Sequence, residues 1–214
     1  MKFLKNFKKY LFISILFLIY ILIYSFSYAN NISNDLANSV FRLHVIANSN
    51  SSEDQDLKYL VRDALISYMN KLCTNVSSKE EAIYIANSHI DNFYNIARET
   101  IIKNGYNHNV KISIGNFSFP TKSYGDITLP AGFYDALKVE IGEAKGQNWW
   151  CVMFPSLCFV DVSNGIVPEE SKQDLQSSLL EEEYNLISSE TVEYKIKFKI
   201  VEFFENSKIF TAKK

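Results

Sequence analysis

The first 29 residues constrain this chain more than any other stretch. Met1–Tyr10 carries Lys2, Lys5, Lys8 and Lys9 and no acid, and an apolar run follows from Leu11 to Tyr24. Ser25-Phe26-Ser27-Tyr28-Ala29 then places small residues at Ser27 and Ala29, the spacing of a signal peptidase site. A cationic start, an apolar middle and such a site describe an export signal, and cleavage after Ala29 leaves about 185 residues, enough for one domain. The apolar run exceeds the roughly 7–15 residues usual in a signal and approaches the roughly 20 needed to span a bilayer. An uncleaved anchor is therefore the alternative, and membrane association would then run through residues 1–29. Either way the lysines stay on the cytoplasmic side and the remainder faces out.

Export changes the charge balance. The whole chain has 22 basic and 24 acidic residues; without the four N-terminal lysines it has 18 against 24, a net charge of −6. Nucleic acid, which requires a basic footprint, is a poor partner for such a domain. Tight electrostatic docking on anionic lipid is equally disfavoured. Outside the cytoplasm a disulfide is allowed, and the odd count of Cys73, Cys151 and Cys158 leaves one thiol over or pairing between chains.

Periodicity organises the exported part. Asn30–Asn38 is polar and reads as a linker within residues 30–40, before a single domain over 41–214. Phe41, Leu43, Val45 and Ala47 alternate with Arg42 and His44, the pattern of a half-buried strand. Ser52 with Gln55 reads as a capping box for a helix whose stripe is Leu57, Leu60, Val61, Ala64, Leu65, Tyr68, Met69 and Leu72. Ser78 with Glu81 announces a second helix that buries Ala82, Ala86, Ile90, Phe93, Ala97 and Ile101 and stops at Gly105. Strands are expected over Val110–Phe119 and Phe133–Ile141, with a loop over Thr121–Leu129 and two short extended pieces around Pro155. Pro168 opens a weaker helix through about Tyr184. Val192–Ile200 alternates strictly, its lysines on one face suiting an edge strand. The fold class that follows is α+β, an antiparallel sheet of four to five strands against two or three helices.

Motifs that would mark an enzyme are missing. The chain has no G-x-S-x-G elbow, no H-E-x-x-H and no P-loop, and His44, His89 and His108 lack metal-ligand spacing. No catalytic residue, metal or cofactor is expected. A Cys–His hydrolase using Cys151 or Cys158 with His44 is the alternative, an exported cysteine-dependent enzyme acting on cell wall or peptide. Both cysteines sit in apolar sequence, where burial raises a thiol pKa and makes it inert. A Cys151–Cys158 disulfide is the competing reading, through a turn at Pro155-Ser156, and Cys73 could pair with either instead. The other unusual feature is the adjacent pair Trp149-Trp150. Neighbours in a strand point to opposite faces, so one can fill the core while the other serves as a contact.

Several blocks resemble the stage II sporulation protein R family. Arg42-Leu43-His44-Val45-Ile46-Ala47-Asn48-Ser49-Asn50-Ser51, with Val61-Arg62-Asp63-Ala64, is similar to its opening. Phe119-Pro120-Thr121-Lys122 with Tyr124-Gly125, Leu129-Pro130-Ala131-Gly132 and Asn148-Trp149-Trp150-Cys151-Val152-Met153-Phe154-Pro155 resemble its central block, so the likeness covers about 41–161. The resemblance implies a signal rather than a catalyst. Such a protein is secreted from the forespore into the septal intermembrane space. It activates a membrane-embedded aspartic protease of the mother cell, which then processes the sigma-E precursor. Phe119, Lys122, Tyr124, Trp149, Trp150 and Phe154 are the candidate contact residues.

Overall fold

The structure is a computed structural model that describes residues 2–74, 76, 78–155, 169–177, 179 and 181–188. Helix α1 (Lys2–Ser39) is followed by β1 (Phe41–Ile46), α2 (Ser52–Leu72), α3 (Lys79–Ser88) and α4 (Ile90–Lys103). Then come β2 (Val110–Phe119), β3 (Lys122–Tyr124), β4 (Ile127–Leu129), β5 (Gly132–Ile141), β6 (Asn148–Phe154), α5 (Glu169–Ser177) and α6 (Glu181–Ser188). The α+β class holds. The main sheet has four strands in the order β2-β5-β1-β6, and β3-β4 form a separate two-stranded sheet.

The main sheet is mixed rather than wholly antiparallel. β1 runs parallel to β5, with Leu43 beside Leu137 and Val45 beside Val139, while β1–β6 and β2–β5 are antiparallel. A parallel neighbour needs a long crossover, and here α2, α3, α4 and the β2–β4 segment supply it. The register sorts side chains into two layers. Leu43, Val45, Leu137, Val139, Cys151 and Trp149 share the face toward α2 and α4. Arg42, His44, Tyr134, Ala136 and Trp150 share the other, under the β3–β4 hairpin. β1 is thus buried on both faces, Arg42 and His44 included, where alternation alone predicts a half-buried strand.

Residues 30–39 correct the expected linker. α1 continues through Ser39 without a break. Ile32, Leu36 and Val40 recur at helical spacing and are buried in the core, and Ser33 Oγ donates to the Ala131 carbonyl at 3.4 Å. Upstream the helix is exposed, and its apolar length is sufficient to cross a membrane.

The helices start and stop for local reasons. Ser51, one residue before the expected cap, accepts from the Asp54 N–H, while Gln55 Nε2 donates to the Ser49 carbonyl. Leu57, Val61, Leu65 and Met69 are buried as the stripe requires, but Leu60 is exposed and Lys58 is buried. Lys58 Nζ donates to Gln55 Oε1 at 2.6 Å and lies 4.5 Å from the Tyr59 ring centroid. Burial, then the charge of Arg62, lowers its pKa.

Ser78 caps α3 by accepting from the Glu81 N–H. The expected single helix breaks at His89, whose Nδ1 is 3.0 Å from the Tyr68 hydroxyl. Gly105 (φ +84°) ends α4 with its N–H on the Ile102 carbonyl and the Tyr106 N–H on the Ile101 carbonyl, a Schellman closure. The Thr121–Leu129 loop contains the β3–β4 hairpin, and the Pro168–Tyr184 helix is two short helices, α5 and α6. The expected strand Val192–Ile200 and the extended piece after Pro155 lie outside the described residues.

A knot of loops holds β6 in place. Asp54, at the start of α2, accepts from Ser49 Oγ at 2.6 Å and Asn48 Nδ2 at 2.8 Å, and its other oxygen lies 3.1 Å from His108 Nε2. Asn48 Oδ1 accepts the Glu143 N–H, and the Gly146 N–H donates to the Ala47 carbonyl. At Gly146 a Cβ would be driven into the Ser49 carbonyl, so the two loops touch only because the side chain is absent. Burial alone would raise the Asp54 pKa. The Ser49 and Asn48 hydrogen bonds and the charge of His108 outweigh it and hold the carboxyl below its ordinary 3.8. Asp135 is depressed likewise: burial opposes, but Lys79 Nζ at 2.7 Å and Asn116 prevail.

Gly146→Ala is expected to cost about 1–3 kcal/mol, read as a lower denaturant midpoint with an unchanged slope. No change in midpoint would show that the loops can separate freely. A carboxyl depressed in the folded state contributes stability that is present above its unfolded pKa and lost as pH falls through the folded one. The domain is therefore expected to weaken as pH drops below the ordinary carboxyl value of 3.8, and Asp54→Asn to flatten that dependence. Equal acid sensitivity in both proteins, measured by urea melts from pH 7 to pH 3, would count against this role.

Candidate functional site

The site grows from the alternation of β6. Trp149 and Trp150 stand opposite Val45 and His44 of β1, so their indoles leave opposite faces of the sheet. On the helix side, Trp149 meets Tyr59 edge-on at 5.4 Å, and the Arg62 guanidinium lies 4.3 Å from the Trp149 ring centroid. On the hairpin side, Trp150 stacks on His44 at 5.6 Å, with the Lys122 ammonium 4.5 Å from its ring centroid. Each indole is half-buried and carries a cation on one face. A cation over an aromatic face contributes about 0.5–1 kcal/mol at an exposed site and 2 or more when desolvated.

Beneath Trp150 lies a buried arginine. The Arg42 guanidinium is 4.2 Å from the Phe119 ring centroid and 4.6 Å from that of Tyr134, and the residue is fully inaccessible. Its Nη2 donates to the Tyr124 hydroxyl at 2.6 Å, which donates onward to the Trp150 carbonyl at 3.0 Å. Among the described residues Nε and Nη1 have no hydrogen-bond partner and Arg42 has no ion pair. Desolvating a guanidinium costs several kcal/mol, which two ring contacts of about 2 kcal/mol each and one charge-assisted hydrogen bond of about 1.5–3 kcal/mol offset while leaving Nε and Nη1 unmatched. Burial raises the Tyr124 pKa, against the opposing charge and hydrogen bond of Arg42.

Burial lowers the pKa of His44, the Asn148 hydrogen bond opposing and the charge of Lys138 assisting. His44 Nε2 sits 2.8 Å from Asn148 Oδ1, a contact that suits an N–H on that nitrogen, and Nδ1 has no partner among the described residues.

The expected contact residues divide. Lys122, Trp149, Trp150 and Phe154 are partly exposed on or beside β6. Phe119 and Tyr124 are buried around Arg42, so they support the face rather than form it. The residues that sequence reasoning overlooked are Arg42, Lys58, Tyr59 and Arg62. For Arg42, Lys58 and Arg62 the signal was a charge inside, or bordering, an otherwise apolar pattern, and Tyr59 gave none. Cys151 is disulfide-bonded and Cys73 is a free thiol whose pKa burial, then Glu81, pushes up to about 11. Cys158 lies outside the described residues. Cys151 stands opposite Leu43, on the face of the sheet away from His44, so the two form no nucleophile–base pair. No cluster of three His, Cys, Asp or Glu side chains is placed to hold a metal among the described residues.

Comparison with known proteins bears on this geometry. The family model described as Stage II sporulation protein R matches residues 37–164. Stage II sporulation protein R of Bacillus subtilis (strain 168) is 40% identical over 141 residues, covering 66% of this chain. The chain spans 62% of that relative's length. No solved structure matches the chain. With β1, α2, the hairpin and the tryptophan strand all inside the matched residues, the chain belongs to the stage II sporulation protein R family.

Proposed function

We propose that this protein is an exported signal of endospore formation. It binds the membrane-embedded aspartic protease of the mother cell from the septal intermembrane space and switches it on for processing of the sigma-E precursor. The observation that carries the reading is the family match, which contains the whole of β6 and its cover. The N-terminal apolar helix suits export or anchoring, and a role in sporulation follows from the family. A cysteine-dependent hydrolase is disfavoured by the disulfide at Cys151 and by its placement away from His44.

A ligand switches a receptor only through a difference in affinity for its two states. Moving a partner from mostly inactive to mostly active takes about 5.5 kcal/mol of such difference. Interface tryptophans are common hot spots, each worth 2 kcal/mol or more when truncated. Two of them, held rigidly by Arg62 and by Lys122 with His44, can supply most of that energy if the active state alone accommodates them. The contacting face is Lys122, Trp149, Trp150 and Phe154.

Co-expression with the protease and the precursor tests the reading. The full chain is expected to yield cleaved precursor, and a version without residues 1–29 to yield none when the partner faces the other compartment. Trp149→Ala and Trp150→Ala, secreted at the normal level, are each expected to cut processing at least tenfold. Full processing by both variants would retire this face as the contact.

A further inference from the structure

The buried side-chain nitrogens without a partner among the described residues are Arg42 Nε and Nη1, His44 Nδ1, Arg62 Nη1, Trp149 Nε1 and Trp150 Nε1. All lie within one shell of the β6 tryptophans. Unpaired buried groups are rare in folded proteins and require an explanation wherever they occur. They fall on two faces of the sheet, Arg62 and Trp149 on the helix side and Arg42, His44 and Trp150 on the hairpin side, and those of Arg42 and Trp150 are obligate donors. What Arg42 lacks among the described residues is an acceptor for Nε and Nη1.

We propose that the hairpin side of β6 receives a carboxylate side chain from an acidic segment of the partner protein, bound by Arg42 and the Trp150 indole N–H with Lys122 at the rim. This rests on the binding role proposed above and names the chemistry of what is bound. Three observations select a peptide carboxylate. Arg42 is a charge with no counter-charge of its own among the described residues, and it is wholly buried. The Phe119 and Tyr134 rings lie against the guanidinium, and the Trp150 carbonyl is one hydroxyl away, surroundings that suit one planar acid on an apolar stem better than a heavily hydrated phosphate. The exported chain is acidic overall, so a local excess of Arg42 and Lys122 is a steering feature against the general field.

Access follows from how the site is covered. The β3–β4 hairpin belongs to a sheet of its own, packs into the core through Ile127 and Leu129, and covers this place with Lys122, over the Trp150 ring, and with Tyr124, whose hydroxyl bridges Arg42 and the Trp150 carbonyl. Displacing that hydroxyl opens Arg42, and the incoming carboxylate takes over the acceptor position that the neutral phenol fills.

The chain has two tryptophans, and both belong to this region, so intrinsic fluorescence reports on it. The full chain in detergent micelles would be titrated with a Glu-rich hexapeptide, its Gln counterpart and inorganic phosphate. The Glu peptide alone is expected to shift the emission. Lys122→Gln, on the rim, is expected to weaken binding at least threefold, and Arg42→Lys at least tenfold if its melt shows a folded domain. Equal responses to the Glu and Gln peptides, no response to either, or a stronger response to phosphate would each overturn the assignment. The co-expression assay separates the two levels of inference. No precursor cleavage with the unaltered chain defeats the proposed function. Cleavage that Lys122→Gln leaves untouched defeats only the acidic site.

Discussion

The structure depends on placing Arg42 in the middle of a strand that is buried on both faces. β1 is the central strand, flanked by β5 and β6, sandwiched between the α2–α4 layer and the hairpin. A fully apolar β1 would fit such a position more comfortably. Instead the hairpin closes over a guanidinium, and Phe119, Tyr134 and Tyr124 are arranged around it. The same strand then carries His44 two residues on, which stacks on Trp150. The position of one half-buried indole is therefore set by a chain of contacts that begins at a buried charge. Replacing either partner of a buried polar contact leaves the other stranded, so the arrangement is sensitive at each link.

The second constraint acts on the other end of β6. Asp54 gathers Asn48, Ser49 and His108 at the N-terminus of α2, and Asn48 reaches across to the Glu143 amide. A negative side chain in the first helical turn also meets the positive end of the helix dipole. Gly146 lets the connection after β5 lie against Ser49, so Asn148 begins β6 in register with Ile46. Register matters here because a one-residue slip would exchange the faces of Trp149 and Trp150. The loops thus decide which indole meets Arg62 and which meets Lys122.

Much of this was legible in the sequence, and the rest was hidden for identifiable reasons. The Ser78 cap, the Gly105 stop and the stripe Leu57–Val61–Leu65–Met69 are local signals, and each appears where its pattern places it. The opposite orientation of Trp149 and Trp150 follows from strand alternation alone. Alternation also suggests that Arg42 and His44 face solvent, because it cannot see a hairpin folding back from residues 122–129. That hairpin read as a loop since its strands are three residues each, too short to show a period. The parallel pairing of β1 with β5 joins residues more than ninety positions apart, and no local pattern encodes it. Phe119 and Tyr124 looked like contacts because they are aromatic beside an unusual motif, yet burial around Arg42 explains their chemistry better.

Residues 30–39 connect the fold to its place at a membrane. Their polar composition (Asn30, Asn31, Asn34, Asp35 and Asn38) masks Ile32, Leu36 and Val40, which lie on one stripe and seal the core. Cleavage after Ala29 would leave every one of these buried side chains with the domain, so its packing does not need the apolar segment. Retention would have a different consequence. At 1.5 Å per helical residue, the seven steps from Ser25 to Ile32 span about 10 Å, and the helix between them is continuous. An anchored domain would then be held close to the bilayer with little freedom to turn. Tethering of this kind raises the effective concentration of a face toward anything within its reach and abolishes contact beyond it. A cleaved domain escapes that restriction and loses the gain. Keeping or cutting the bond after Ala29 is therefore the difference between a tethered domain and a free one.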